Sequence, residues 1–525
     1  MSQLLTGALY GPKKISLLSN DGQPDTAFLY TMISEWQDDP KRARMFEAQS
    51  YFNGHNAKIS EKQRKVVGEG GALIPCERLE NTKLAHSFLH KLTKQKVSYL
   101  LSKDFSIQTE NKKFEQVLGD FFDKDFMRSL KNVGKDSIVN GLAWLQMYYD
   151  EDGVLKAKRI PSEEVYPFWK DADHTQLEAV LRLYSLWHYD DKGNKTEVKK
   201  VEYYTDKGVW YYELQNGLVP DPDKSEVLGS NFRMEVKKVN EETGEEEVSV
   251  EGVMWNKIPF VCFKYNAEET SLLTHIKDLV DEHDFITSGL SDAIKDSPRS
   301  AKVVRGFEGT NKQEFIHNLS TLGVIFTGEE GGVENLGVDI EHESSEVHLT
   351  RLRKDIFEFG GGVDTQNENF GAASGVAIRF RYADLDMDCS FMANEFSAAL
   401  EQMVWFIAQD QLLKNGADYT EEDVDFVFNT DLAMNESEVI DNLAKSSDLS
   451  LETRLAMHPY VTDVQDELAR KKKEQEEQVD MLGFDDPDND NPSNDDPIVS
   501  EETGERGGRI GITRSGKRVY LGRKE

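Results

Sequence analysis

The spacing of apolar and polar positions divides this chain into helical ends and a strand-rich middle. Residues 1–45 predict an arm with one helix around Asp25–Gln37, and residues 46–75 (YFNGHNAKI, then GEGGALIP) predict loops. Helices are expected over Asn81–Leu101 and over Phe114–Ile138, the second rich in Phe and Leu. Across 142–265 the pattern alternates in LAWLQMYYD, LKAKRI, AVLRLYSLWHY, KKVEYYTDKGVWYYEL and MWNKIPFVCFKYN. DEDG, DDKG and TDKG punctuate these runs, so antiparallel hairpins are expected there.

Beyond residue 268 helices return. Ile276, Leu279, His283, Ile286, Leu290 and Ala293 give a helix at 268–297 an apolar seam broken by one histidine, and Pro298 ends it. AKVVRGF, LGVIFTG and GVENLGV predict short strands within 299–343. A second helix follows over Ser345–Phe359, with Leu349, Leu352, Ile356 and Phe359 at seam spacing, and Gly360-Gly361-Gly362 stops it. A polar loop leads to a long helix from Ser374, striped by Phe396, Leu400, Met403 and Ile407. Residues 420–480 begin with a strand (VDFVFN) and end in a solvated polar helix (DELARKKKEQEEQ). Residues 483–500 (GFDDPDNDNPSNDDPIVS) read as a disordered acidic linker. There is no internal repeat. The pattern predicts an α+β protein of several sub-domains, as its 525 residues require.

Charge alters this picture in one respect. The net charge of −34 argues against a surface that grips nucleic acid throughout, because phosphate neutralisation needs Lys and Arg. An acidic wall would instead keep DNA from sticking. From Arg506 the sign reverses, with seven basic residues against Glu525 alone. Cys76, Cys262 and Cys389 form no C-x-x-C pair and favour a reduced compartment. The start, MSQLLTGALYGPKK, has no signal-peptide core, and no apolar run approaches the length of a membrane span.

Candidate catalytic motifs are near misses. Gly511–Arg518 (GITRSGKR) fits G-x-x-x-x-G-K but ends in Arg518 where Ser or Thr must hold magnesium. His86 and His90 stand at i, i+4 without the Glu of H-E-x-x-H or a third ligand. Asp486, Asp488 and Asp490 imitate an EF-hand start, yet Asn491 replaces its glycine and Pro497 its glutamate. No G-x-S-x-G is present. No catalytic residue, metal or cofactor is therefore expected. The glycine-bracketed loop after Phe359 is the exception: it suits either a helix–loop–helix hinge or a movable segment that meets a ligand.

Six stretches in order carry a resemblance: AQSYFNGHNAKI, NTKLAHSFLHKLTKQKVSYLLSKDFSI, YDEDGVLKAKRIPSEEVYPFW, NKIPFVCFKYN with the acidic helix after it, ENFGAASGVAIRFRYADLDM, and LSLETRLAMHPYVTDVQDELAR. Together they cover most of residues 45–475, and the chain resembles the portal (connector) proteins of long-tailed phages. The resemblance implies wing, stem, clip and crown around a DNA channel, usually in a ring of twelve subunits. Residues 1–267 would be the wing, 268–297 and 345–359 the stem helices, and 298–344 the clip. Residues 360–375 would be the tunnel loop, 376–419 a helix returning through the wing, and 420–480 the crown. The acidic linker and basic tail at 481–525 lie outside the resemblance and are expected to be disordered. Partners implied are double-stranded DNA, the terminase large subunit, the head–tail adaptor, and the major capsid and scaffold proteins, with no membrane. The location implied is the virion, after synthesis in the bacterial cytoplasm.

The tunnel-loop residues expected to face DNA are Gly360, Gly361, Gly362, Asp364, Gln366, Asn367, Asn369, Phe370, Gly371, Ser374 and Gly375. Basic residues expected at the clip or channel are Arg299, Lys302, Arg305, Arg351, Arg353, Lys354, Arg379 and Arg381. Each either forms an inter-subunit salt bridge to the abundant Asp and Glu or joins a ring of phosphate contacts. Twelve copies would carry roughly −400 charges, which suits a wall along which DNA slides. Another virion structural protein, or a nucleotide-driven packaging enzyme, are the competing readings.

Overall fold

The computed structural model describes residues 24–67, 72–76, 79–189, 193–224, 228–230, 232–239, 246–253, 255–296, 301–305, 332–336, 342–366, 375–429, 440, 443–446, 448–458, 460–461, 464–481, 497–503, 508–514, 516 and 518–523. It divides into two compact units, one of residues 1–371 with 379–432, the other of 372–378 with 433–525. Both helices and antiparallel sheets are present, so the α+β class holds.

In the first unit, α1 (Thr26–Gln37) is followed by α2 (Pro40–Phe52) and a single turn, α3 (Ala57–Ser60). The sequence reading missed α2, although Asp39 caps it and Pro40 begins it, the preferred pairing at a helix start. A small hairpin, β1 (Lys65–Val67) and β2 (Leu73–Pro75), precedes α4 (Phe88–Leu101) and the short β3 (Ser106–Gln108). The helix expected over Phe114–Ile138 is two helices, α5 (Lys112–Phe121) and α6 (Lys124–Asn140). They break because the Asp123 carboxylate accepts from Phe126 N–H and starts a new helix.

The expected strand region is a set of meanders. β4 (Leu142–Tyr149) and β5 (Leu155–Ile160) form a hairpin; β6 (Val165–Trp169), β7 (Leu177–Tyr189), β8 (Lys195–Thr205), β9 (Gly208–Leu214), β10 (Leu218–Pro220) and β11 (Leu228–Gly229) form a six-stranded sheet. β12 (Phe232–Val239) pairs with β13 (Glu246–Val253), and β14 (Phe260–Lys264) returns to pair with β4. Leu29 and Ile33 of α1 pack on one sheet face with Leu181, Val201 and Tyr203.

The long elements follow: α7 (Leu273–Asp296), the strand pair β15 (Ala301–Arg305) and β16 (Gly332–Leu336), α8 (His342–Phe359), and α9 (Gly375–Asn415), about 60 Å long. β17 (Asp425–Val427) pairs with β3. The main core joins α4, α6, β4, β14, α8 and α9 through Leu92, Val133, Phe263, Ile356, Met392, Phe396 and Leu400.

The expected apolar seams meet the structure unequally. On α8, Leu352 and Ile356 are buried, but Phe359 is 62% exposed and Phe357 takes the inward place. On α7, Ile276 and His283 are buried, whereas Leu279, Ile286, Leu290 and Ala293 are only half-buried. The buried row instead contains Asp281, Asp284, Ser288 and Asp292. The segment 81–87, expected to be helical, lies extended against this row. Its backbone N–H groups at Thr82, Leu84 and His86 donate to Asp292 Oδ1, Ser288 Oγ and Asp284 Oδ1 at 2.6, 3.0 and 3.1 Å. Two extended residues rise about 6.7 Å. Four helical residues rise about 6 Å, so the two repeats match over this span. Alternate N–H groups can reach these three acceptors together only from an extended backbone, so α4 does not begin at Asn81.

In the second unit lie α10 (Leu451–Ala456), α11 (Val464–Met481) and a three-stranded meander of β18 (Ile498–Thr503), β19 (Gly508–Thr513) and β20 (Arg518–Arg523). The tail expected to be disordered is thus strand over much of its described length. In this meander Arg518 sits 3.4 Å from Glu502, and a positive-φ Gly516 lies in the connection between β19 and β20. The acidic run at 482–496 lies outside the described residues.

Candidate functional site

The three glycines after α8 close it with a Schellman cap. Gly361 adopts the left-handed region at φ +54° and donates to Glu358 O at 3.1 Å, while Gly362 N–H reaches Phe357 O at 2.8 Å. The turn then lies hard against α4. A Cβ at Gly360 would meet Leu92 Cδ1 at 2.7 Å, and one at Gly362 would overlap Leu92 Cδ2.

Polar side chains fix what the glycines bring close. Gln95 holds the Val363 peptide at both ends, donating to its O at 2.7 Å and accepting from its N–H at 3.1 Å. Lys96, fully buried, donates to Gly361 O at 2.8 Å and to Asp388 Oδ2 of α9 at 2.6 Å. Tyr265 O–H donates to the same carboxylate. Arg353 forks onto Asp364 at 2.7 and 2.8 Å. That fork, opposed by partial burial, holds the Asp364 carboxyl below its usual range.

The expectation of one movable loop therefore needs correcting at its near end. Gly360 is buried, Gly361 and Gly362 are half-buried, and Asp364 is engaged by Arg353, whereas Gln366 is exposed. Asn367, Asn369, Phe370, Gly371 and Ser374 lie outside the described residues, and Gly375 is the first residue of α9. The basic candidates separate too. Arg353 is committed to Asp364 and packs over the Phe357 ring. Arg381 is half-buried, while Arg351 and Lys354 are exposed, Arg351 lying 3.9 Å from Asp355. Lys302 and Arg305 lie in β15 and Arg379 in α9; Arg299 is outside the described residues.

Sequence reasoning missed Gln95, Lys96, Tyr265 and Asp388. One signal was present: Lys96 shares the buried face of α4 with Leu89, Leu92 and Leu100, where an unpaired cation would be costly. Gly511–Arg518 runs from β19 into β20 with no helix after it, which is not the strand–loop–helix form of a nucleotide cradle. Among the described residues no helix is long and apolar enough to cross a membrane.

The chain is similar along most of its length to phage portal proteins. A family described as "Phage portal protein, SPP1 Gp6-like" matches residues 35–481, and the chain belongs to that family. The portal protein of Bacillus phage SPP1 is 27% identical over 468 residues, covering 88% of each chain. That of Clostridium phage phiCD119 is 26% identical over 451 residues, covering 82% of this chain and 92% of the relative. A solved neck of a native GTA particle, computed with C12 symmetry, aligns with TM-score 0.36 and 11% identity over 71% of this chain and 88% of its own, too distant a likeness to carry an argument. The function is that of a portal vertex subunit, in the virion.

Proposed function

We propose that this chain assembles as a ring of twelve subunits whose channel passes DNA into the capsid and out again. The observation that carries the reading is the family match across 35–481, which spans α7, β15–β16, α8 and α9. In this reading residues 1–267 are the wing, 268–297 and 345–359 the stem, 298–344 the clip, 376–419 the return helix and 420–480 the crown. The clip docks the terminase motor and later the head–tail adaptor; major capsid and scaffold proteins surround the vertex. The subunit itself catalyses nothing; the motor supplies the work.

The anchored turn gives residues 360–375 a division of labour. Residues 360–364 are a fixed root, and the stretch beyond Gln366 approaches DNA. Among the candidate cations whose side chains are described, Arg351 and Lys354 are exposed, and we assign them to meet phosphate in an otherwise acidic wall. The test is the double variant Arg351→Glu/Lys354→Glu in a packaging assay with ring assembly checked separately. Intact rings that package less DNA support the contact; intact rings that package normally remove it.

A further inference from the structure

We infer that His86, His283 and Asp284 form a binding site for a zinc-type divalent metal ion, which would staple the 81–87 segment to α7. His86 Nδ1 lies 2.6 Å from Asp284 Oδ1, and His283 Nδ1 lies 3.6 Å from that same oxygen. One ligand atom from each of the three residues falls within 4.8 Å of the others. His283 is only 8% exposed, yet its Nδ1 makes no hydrogen bond. An orphaned buried nitrogen is costly, and this one faces a carboxylate and a second imidazole.

The dimensions suit four-coordinate zinc. Bonds of about 2.0–2.2 Å to nitrogen and oxygen place tetrahedral ligands about 3.3 Å apart. The His283–Asp284 separation is already close to that edge. The His86–Asp284 pair is closer, as a shared proton requires, and a metal ion would replace that proton and push the His86 ring out by about 0.7 Å. His86 can yield, since its side chain is 40% exposed, and that open side leaves the fourth position to water. The other groups are held. Asp284 Oδ2 accepts from Asn56 at 3.0 Å, and Phe88 packs edge-on against the His283 ring.

His90, the partner suggested by sequence spacing, lies against Phe52 and serves as the control. The experiment is titration of the full chain with Co2+ and then Zn2+. Expected are one Co2+ per chain with the strong visible absorption of four-coordinate cobalt, and its loss when Zn2+ displaces it. His86→Ala and His283→Gln should each weaken binding at least tenfold, while His90→Ala should bind as the parent does. Zn2+ should also slow hydrogen exchange at the His86 amide in the parent and not in His86→Ala. A parent chain that takes up no Co2+, or uptake undiminished in both His86→Ala and His283→Gln with their circular dichroism unchanged, would leave only a hydrogen-bonded imidazole–carboxylate pair and overturn the proposal.

Discussion

The two helices that flank β15–β16 look alike in sequence, but only one of them is held by apolar burial along its whole inner face. α8 docks by apolar burial of Leu352, Ile356 and Phe357, finished by a glycine cap. α7 buries Leu273, Ile276 and Val280 in the same core, but from Asp284 onward it presents a polar row, and an extended segment covers that row bond by bond through Asp284, Ser288 and Asp292. Apolar burial contributes strength but tolerates sliding and repacking. A ladder of directional bonds sets one register, because shifting it by a single residue would strand buried carboxylates. The half-buried Ile286 and Leu290 lie about 200° around α7 from Asp284 and Ser288, on the side away from the strap.

The sharpest way to break this contrast is Asp284→Ala. It removes the acceptor for His86 N–H, His86 Nδ1 and Asn56, and should cost about 3–5 kcal/mol in denaturant unfolding. Ile356→Ala on α8 should cost about 2–4 kcal/mol through an empty space in the core while leaving the exchange protection of Leu84 and His86 unchanged. Equal loosening of the strap by both variants would erase the distinction. Gly362→Ala drives a Cβ into Leu92, which is fully buried, and should cost about 1–3 kcal/mol.

Acid should separate the rungs of the ladder. Asp292 is held below its usual range by Lys62 and Thr82, against the opposing effect of burial, and Asp284 is likewise lowered. A depressed carboxyl contributes stability that is complete above its unfolded value of about 3.9 and is lost as pH falls through the lower folded value. Below about pH 4, exchange at Thr82 and His86, corrected for intrinsic rate, should therefore rise before that at Leu84, whose acceptor is the Ser288 hydroxyl. Uniform loss of all three would mean the strap leaves as a unit. The smallest effect belongs to Arg351→Glu/Lys354→Glu, which should cost no more than about 1 kcal/mol, because both side chains are exposed and the main loss is the i,i+4 pair of Arg351 with Asp355, replaced by a like-charge pair.

Sequence patterning was informative where one rule acted alone. The alternation across 142–265 predicted strands, and the triple glycine predicted the end of α8 at Phe359, because period and stop signals are local. It failed where a distant partner decided the outcome. Residues 81–87 have helical composition, but their N–H groups are taken by α7. His283 looked like a flaw in an apolar seam and is part of a polar row. The glycine loop read as mobile because its anchors, Gln95 and Lys96, stand more than 260 residues earlier in the chain. Lys96 on an otherwise apolar face was the one local clue that something charged waited there.

Electron microscopy of the purified full-length chain tests the central claim most directly. The account predicts closed rings with a central channel, α7 and α8 of each subunit packed against those of its neighbours, and the 360–364 turn fixed at the root of a segment that enters the channel. A chain that stays monomeric at micromolar concentration with and without scaffold protein, or rings in which α7 and α8 lie away from the channel, would contradict it.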